Sequence, residues 1–330
     1  MFKKWLQIHA MTRSPRLLPY NLASFIIKIV FSANFRKGMS YTSSRPSVVA
    51  KVYEMKTLKI AKKILKAFVP CGIVQLYSLS KGQCHFERMY SDALAGMNMS
   101  GGGDYNSSGE KWIIESIAGK YKNRDCVTVF DVGANKGHYS ELLNKIMGSK
   151  AEIFAFEPSK NTFDIMKANI SGIENIKSYN FGFSDKNTIL TLYTNENGSG
   201  LASVYKRKLE HYGIDMNMAE EVEMKTIDSF CEENNIKKID FLKLDVEGNE
   251  LKVLEGAKRI MESGNVEHIQ FEFGGCNIDS RTYFKDFYSL LNERYKIYRI
   301  LKKGLFHIEK YKETYECFII TNYLAVKRET

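Results

Sequence analysis

From Val127 onward, short apolar runs rich in β-branched residues alternate with stretches whose apolar residues recur every three to four positions. No other feature of the chain constrains its fold as strongly. Val127–Val132 reads as a strand, after which Tyr139, Leu142, Leu143, Ile146 and Met147 fall on one face of a helix. Ala151–Phe156 reads as the next strand, 162–170 as a helix and 176–181 as a third strand. Leu190 and Leu192 then alternate ahead of a Gly/Asn-rich loop near Gly198, and 195–224 reads as a loop without a period. A helix at 227–233 precedes a strand at 239–245, and Leu251, Leu254, Ala257 and Met261 mark one further helix. Residues 268–273 form a fifth strand, 283–291 a helix, and 295–301 and 317–326 a terminal pair of strands. This order predicts an α/β fold with a doubly wound, mostly parallel sheet, whose ligands bind outside the carboxyl ends of the strands.

The first hundred residues are different. They hold 16 Lys and Arg against 3 Asp and Glu, whereas the rest of the 330-residue chain holds 32 against 35. The net charge of +10 therefore belongs to the N-terminal third, which is suited to an anionic partner such as a phospholipid surface or a nucleic acid. Residues 1–54 lack periodicity and read as a loosely structured extension. In the stretch 55–68, Leu58, Ala61, Ile64, Leu65 and Phe68 form an apolar stripe among Lys56, Lys59, Lys62, Lys63 and Lys66, and Pro70 ends it. Such a basic amphipathic helix can lie in a membrane interface or pack on the main domain. The Gly/Ser-rich segment 100–108 marks the boundary, giving an extension (1–54), a basic helical region (55–100) and a main domain (101–330). The apolar stretch 22–31 is interrupted by Lys28 and is too short to cross a bilayer, which needs roughly 20 apolar residues. Six cysteines without a CxxC pair fit reduced thiols, so a cytoplasmic protein is expected, peripheral to the inner face of a membrane if 55–68 binds lipid.

The sharpest motif is Asp131-Val-Gly-Ala-Asn-Lys-Gly137, placed at the end of the first strand and the start of the first helix. Gly133 and Gly137 allow a tight turn and leave room for a ligand against the backbone. Glu157, at the end of the second strand, is placed to accept protons from both ribose hydroxyls of a nucleoside. The loop reads GxxxG rather than GxGxxG, and it sets Asp131 beside the expected cavity. A carboxylate there repels pyrophosphate and favours a cationic ligand, such as the ammonium and sulfonium of S-adenosylmethionine.

Three segments, 130–140 (Phe-Asp-Val-Gly-Ala-Asn-Lys-Gly-His-Tyr-Ser), Phe156-Glu-Pro158 and 241–251 (Phe-Leu-Lys-Leu-Asp-Val-Glu-Gly-Asn-Glu-Leu), occur in this order. Together they resemble the FkbM family of S-adenosylmethionine-dependent methyltransferases, from about Val127 to Glu272. The resemblance implies a Rossmann-like, seven-stranded class I methyltransferase sheet with its last strand antiparallel, and O-methylation of hydroxyls on sugars, glycolipids or polyketides. It also implies that Asp131, Gly133 and Gly137 surround the methionine part of the cofactor, that Asn135 belongs to the same cofactor site and that Glu157 holds the ribose. Ser184 and Asp185, after the third strand, are the positions implied for adenine.

A second constellation is Lys243, Asp245 and Glu247. Period-two alternation puts Lys243 and Asp245 on one face, where the lysine can balance the carboxylate. A sugar hydroxyl is a weak nucleophile at neutral pH and gains from a positioned base. Asp245 is the first candidate, with His138 and Glu247 behind it. Lys243 and Glu272 are candidates for binding substrate, and Glu272 could take either a sugar hydroxyl or the metal of a metal-assisted reaction. No metal site is predicted, since none of the six histidines has ligand spacing; Asp245 leaves room only for a weak magnesium site. The expected function is methyl transfer to the hydroxyl of a glycan or lipid-linked sugar. A nucleic-acid methyltransferase using the basic arm and a non-catalytic nucleoside-binding module are the alternatives.

Overall fold

The structure, a computed structural model, describes residues 83–99 and 104–329. The extension at 1–54 and the basic helix at 55–68 lie outside the described residues. The compact unit that carries the sheet runs from Asp92 to Thr330. Its strands are β1 (Val127–Val132), β2 (Ala151–Phe156), β3 (Ile176–Tyr179), β4 (Gly182–Phe183), β5 (Thr188–Thr194) and β6 (Met218–Lys225). They continue with β7 (Ile239–Leu244), β8 (Val266–Phe273), β9 (Tyr295–Leu301), β10 (Gly304–His307) and β11 (Thr321–Lys327).

Eight strands form the main sheet in the order β10-β9-β11-β8-β7-β1-β2-β3. Strands β3, β2, β1, β7 and β8 are parallel, and β11 runs antiparallel between β8 and β9. This is the expected class I methyltransferase sheet with its last strand reversed, extended by β10, which the hairpin at Gly304 folds back onto β9. Every residue of β7 is buried, as a central parallel strand covered on both faces requires. Alternation in β1 distributes its side chains between two cores. Phe130 and Val132 join Phe154, Phe156, Phe183 and Phe230 on one face, while Val127 and Val129 meet Tyr139 and Leu143 of the helix His138–Met147 on the other.

The expected third strand divides. Residues 176–179 stay in the main sheet, but Gly182–Phe183 pairs with β6 in a separate three-stranded sheet of order β4-β6-β5. The segment expected to be a loop at 195–224 ends in β6. Its run of glutamates obscured the alternation that buries Val222 and Met224. The helix expected through 251–261 is two helices, Glu250–Glu255 and Lys258–Glu262. At the break sits Gly256, where a Cβ would stand 2.0 Å from the Ser184 carbonyl oxygen, so a side chain has no room. Part of the expected boundary loop is helical too. Tyr105–Ser108 forms one turn, and the carboxylate of Asp104 caps it by accepting from the Asn106 amide. No helix among the described residues is long and apolar enough to cross a membrane.

Candidate functional site

After β1 the chain moves outward to β2 and β3, and it later returns to β7 on the other side of β1. A crevice is expected where the order reverses, and one is present at the carboxyl ends of β1, β2 and β7. It is an open crevice, about 560 Å³ of atom-free space with the adjoining solvent included. Its polar side chains include Asn135, Glu157, Ser199, Asp245, Glu247 and Asn249; Phe183, Leu192, Val204 and Met224 supply an apolar wall. Three lining residues are acidic, and none is lysine or arginine.

Two loops close against each other beneath this cleft. The β1 loop lies over the end of β2, with the Gly133 and Ala134 amides donating to the Phe156 carbonyl, and the Asp245 amide donates to the Val132 carbonyl. Gly133 has φ +78°, and a Cβ there would stand 1.8 Å from the Asp245 carbonyl oxygen, so glycine is required on both counts. Glu157, 6% exposed, accepts the Asn135 amide on Oε2 (3.0 Å) and the Ser159 amide on Oε1 (2.9 Å). Burial pushes its carboxyl up to about 7, and the two amides oppose that rise. The Asn135 side chain donates to the Ser199 carbonyl at 3.2 Å, tying the β5–β6 connection to the cleft.

The β7 side is organised by charge. Buried Lys243 places Nζ 3.2 Å from Asp245, 3.5 Å from Asp131 and 4.5 Å from the centre of the Tyr139 ring. Burial alone would lower its ammonium, but Asp245 and Asp131 hold it above its ordinary value. The Glu247 carboxylate pairs with Arg207 of the β5–β6 connection, and its carbonyl accepts from Ser203 Oγ at 2.7 Å. Burial and the neighbouring Asp245 raise the Glu247 carboxyl, while Arg207 opposes them. Beneath the turn, fully buried Glu250 accepts the Val246 and Gly248 amides at 3.0 and 3.1 Å; burial lifts its carboxyl to about 7. Glu272 lies on β8 next to this group. Asp245, Glu247 and Glu272 each place one carboxylate oxygen within 4.8 Å of the others. That spacing admits a cation in principle, yet Lys243 and Arg207 already neutralise two of the three.

The predicted residues are placed unequally. Gly133, Asn135, Glu157, Asp245 and Glu247 line the cleft. Asp131, expected beside the cavity, is instead 0% exposed, accepts from Ser140 Oγ at 2.7 Å and faces Lys243, so its charge is used inside the fold. Gly137 caps the following helix at φ +84°, where a Cβ would strike Ile170 and Met166, and it lies outside the cleft lining. Ser184 and Asp185 follow β4, not β3, and lie off the cleft lining. Ser184 is buried with its carbonyl against Gly256, and Asp185 sits 3.4 Å from Lys252. His138 is exposed and contacts Glu141, away from the other catalytic candidates. Arg207, Asn249, Glu250 and the Ser199–Gly200 turn were not anticipated. For Asn249 and Glu250 a signal existed in Glu-Gly-Asn-Glu, polar residues opening a helix directly after a strand.

This fold and cleft define an α/β protein with an acid-lined crevice at the switch point of its sheet. The model of the methyltransferase FkbM domain matches residues 131–299, just over half of the chain, and the protein belongs to that family. It is 29% identical over 172 residues to the hexuronic acid methyltransferase AglP of Haloferax volcanii, covering 50% of this chain and 64% of that one. Over 143 residues it is 24% identical to the 2-O-methyltransferase NoeI of Sinorhizobium fredii, covering 40% and 58%. The chain thus spans about three fifths of the length of these curated relatives. Among solved structures, a methyltransferase FkbM from Methylobacillus flagellatus KT aligns with a TM-score of 0.38 at 14% identity, over 61% of this chain and 44% of that one.

Proposed function

We propose that the protein transfers the methyl group of S-adenosylmethionine to a hydroxyl of a sugar. The observation that carries this reading is the cleft itself, placed at the switch point and lined by Glu157, Asp245 and Glu247 without a lysine or arginine. The lining offers carboxylate oxygens to a ligand, while Lys243 and Arg207, which balance two of them, stand outside it; that disfavours a pyrophosphate and suits a cationic nucleoside. Family membership and the relatives named as hexuronic acid and 2-O-methyltransferases support the same reading.

The residues present fit the cofactor. Both Glu157 oxygens are fixed by backbone amides and keep lone pairs for the two ribose hydroxyls. Phe183, Leu192 and Met224 offer an apolar wall to adenine, and Asp245 and Glu247 face the positive end. The bound cofactor supplies an electrophilic methyl carbon on a sulfonium. The chain's own work is to orient an acceptor hydroxyl towards that carbon and to accept its proton. Carboxylates as close as those of Asp245, Glu247 and Glu272 are suited to neighbouring hydroxyls of a sugar ring. We assign this function to the main domain, and a glycan or lipid-linked sugar as its acceptor.

Isothermal titration with S-adenosylmethionine, S-adenosylhomocysteine and NADH tests the cofactor. The first two are expected to bind and NADH is not; binding of NADH alone overturns the reading. Release of S-adenosylhomocysteine with sugar glycosides then tests the acceptor.

A further inference from the structure

Resting on the methyl-transfer reading, we propose that Glu272, rather than Asp245, is the catalytic base that takes the proton of the acceptor hydroxyl. The β7–β8 register pairs Leu244 with Phe271, so Asp245 and Glu272 follow one another at the adjoining strand ends. Three carboxylates therefore meet at one edge of the cleft, Asp245 and Glu247 in its lining and Glu272 just outside it, and they differ in their partners. Asp245 is held by Lys243 at 3.2 Å. Glu247 is held by Arg207. The carboxylate of Glu272 makes no hydrogen bond and no ion pair among the described residues, and it is partly exposed.

A carboxylate beside a cation is a weakened base, because the cation stabilises its ionised form. One that is desolvated, unpaired and surrounded by like charge binds a proton more tightly. Asp245 and Glu247 in the β7 turn, Glu250 in the helix beyond it and Glu110 in the helix Glu110–Lys120 all act on Glu272 in that sense. Burial together with these charges raises its carboxyl well above the ordinary range. The nearby cations, Lys243 on β7 and Arg207 on the β5–β6 connection, are committed to other carboxylates, and the neighbouring Cys276 thiol is itself held protonated by burial. Glu250 and Glu110, the other acids here without an ion pair, are buried and held by hydrogen bonds, Glu250 by backbone amides and Glu110 by Ser108 and Gln270, so no acceptor reaches them.

In the step, the acceptor O–H bond breaks and its proton passes to a Glu272 oxygen. The oxygen lone pair forms the new bond to the methyl carbon of S-adenosylmethionine, and the C–S pair stays on sulfur, giving S-adenosylhomocysteine. Glu272 then returns the proton to water.

The test follows release of S-adenosylhomocysteine with methyl β-D-glucuronoside and methyl β-D-galactopyranoside as acceptors, across pH, for wild type, Glu272→Gln and Asp245→Asn. Glu272→Gln is expected to lower kcat by about 100-fold or more, with S-adenosylmethionine affinity and acceptor KM within a few-fold of wild type. Asp245→Asn is expected to keep the acid limb of the rate profile that Glu272→Gln removes. An unchanged kcat or a retained acid limb in Glu272→Gln overturns the assignment. So does full loss of wild-type activity in EDTA with recovery in Mg²⁺, since a bound metal would then activate the hydroxyl. If wild type binds S-adenosylmethionine but turns over neither glycoside, the sugar acceptor fails and takes this assignment with it; turnover without a role for Glu272 overturns the assignment alone.

Discussion

The two sides of the cleft are built by different means. On the β1–β2 side, the polar group offered to a ligand is Glu157, and backbone amides two residues away and in the preceding loop hold it. On the β7–β8 side, the carboxylates of Asp245 and Glu247 are held by the side chains of Lys243 and Arg207. Backbone amides pin a carboxylate without cancelling its charge, which fits the ribose-holding role proposed for Glu157. Side-chain cations set proton affinity one carboxylate at a time, which fits the proton transfer proposed for this side. Lys243 joins the two halves because it faces both Asp131 of β1 and Asp245 at the end of β7.

That junction gives the largest expected effect. Lys243→Met leaves buried Asp131 and its neighbour Asp245 without their cation, and urea unfolding is expected to show a loss of about 3–5 kcal/mol. A stability within 1 kcal/mol of wild type would mean that the halves are independent. Gly133→Ala attacks the place where the two loops touch. With φ at +78° and no space before the Asp245 carbonyl, it is expected to cost about 3 kcal/mol of stability, read from the same unfolding curves.

Glu157→Ala acts on one half only. S-adenosylmethionine affinity is expected to fall by about 30-fold, or about 2 kcal/mol, the size of hydrogen bonds to a charged group. The ion pairs around Asp245 stay as they are, and so the acceptor KM is expected to change little. Protonation gives a milder version of the same perturbation. The Glu157 carboxyl is raised to about 7, so at lower pH it is protonated and accepts the ribose hydroxyls poorly. Affinity is therefore expected to rise about tenfold between about pH 6 and pH 8, and Glu157→Gln to lack that rise. The smallest effect belongs to a residue outside both halves. His138→Ala removes an exposed contact to Glu141, and both stability and turnover are expected to stay within about 0.5 kcal/mol of wild type.

Much of the first half was legible in the sequence. The strand–glycine–helix pattern located Gly133, and an acid at the end of the second strand located Glu157, because both depend on local geometry within one βαβ unit. Asp131 shows where local reasoning stops. Its place at a strand end was read correctly, but its burial against Lys243 and Ser140 depends on residues that the motif's local geometry does not place. Ser184 and Asp185 moved off the cleft for a similar reason. Their position relied on one strand from 176 to 181, and the chain instead leaves the main sheet after Tyr179 to pair Gly182–Phe183 with β6.

The sequence by itself determined the strand–helix alternation, the glycine that lets two loops touch and the family to which the chain belongs, because each is written in residues close to one another along the chain. Only the tertiary structure decided which carboxylate meets which cation. Arg207 reaches Glu247 across 40 positions, and Gln270 reaches Glu110 across 160. Proton affinity in a buried cluster is set by such neighbours through space, and strand order, not spacing along the chain, brings them together.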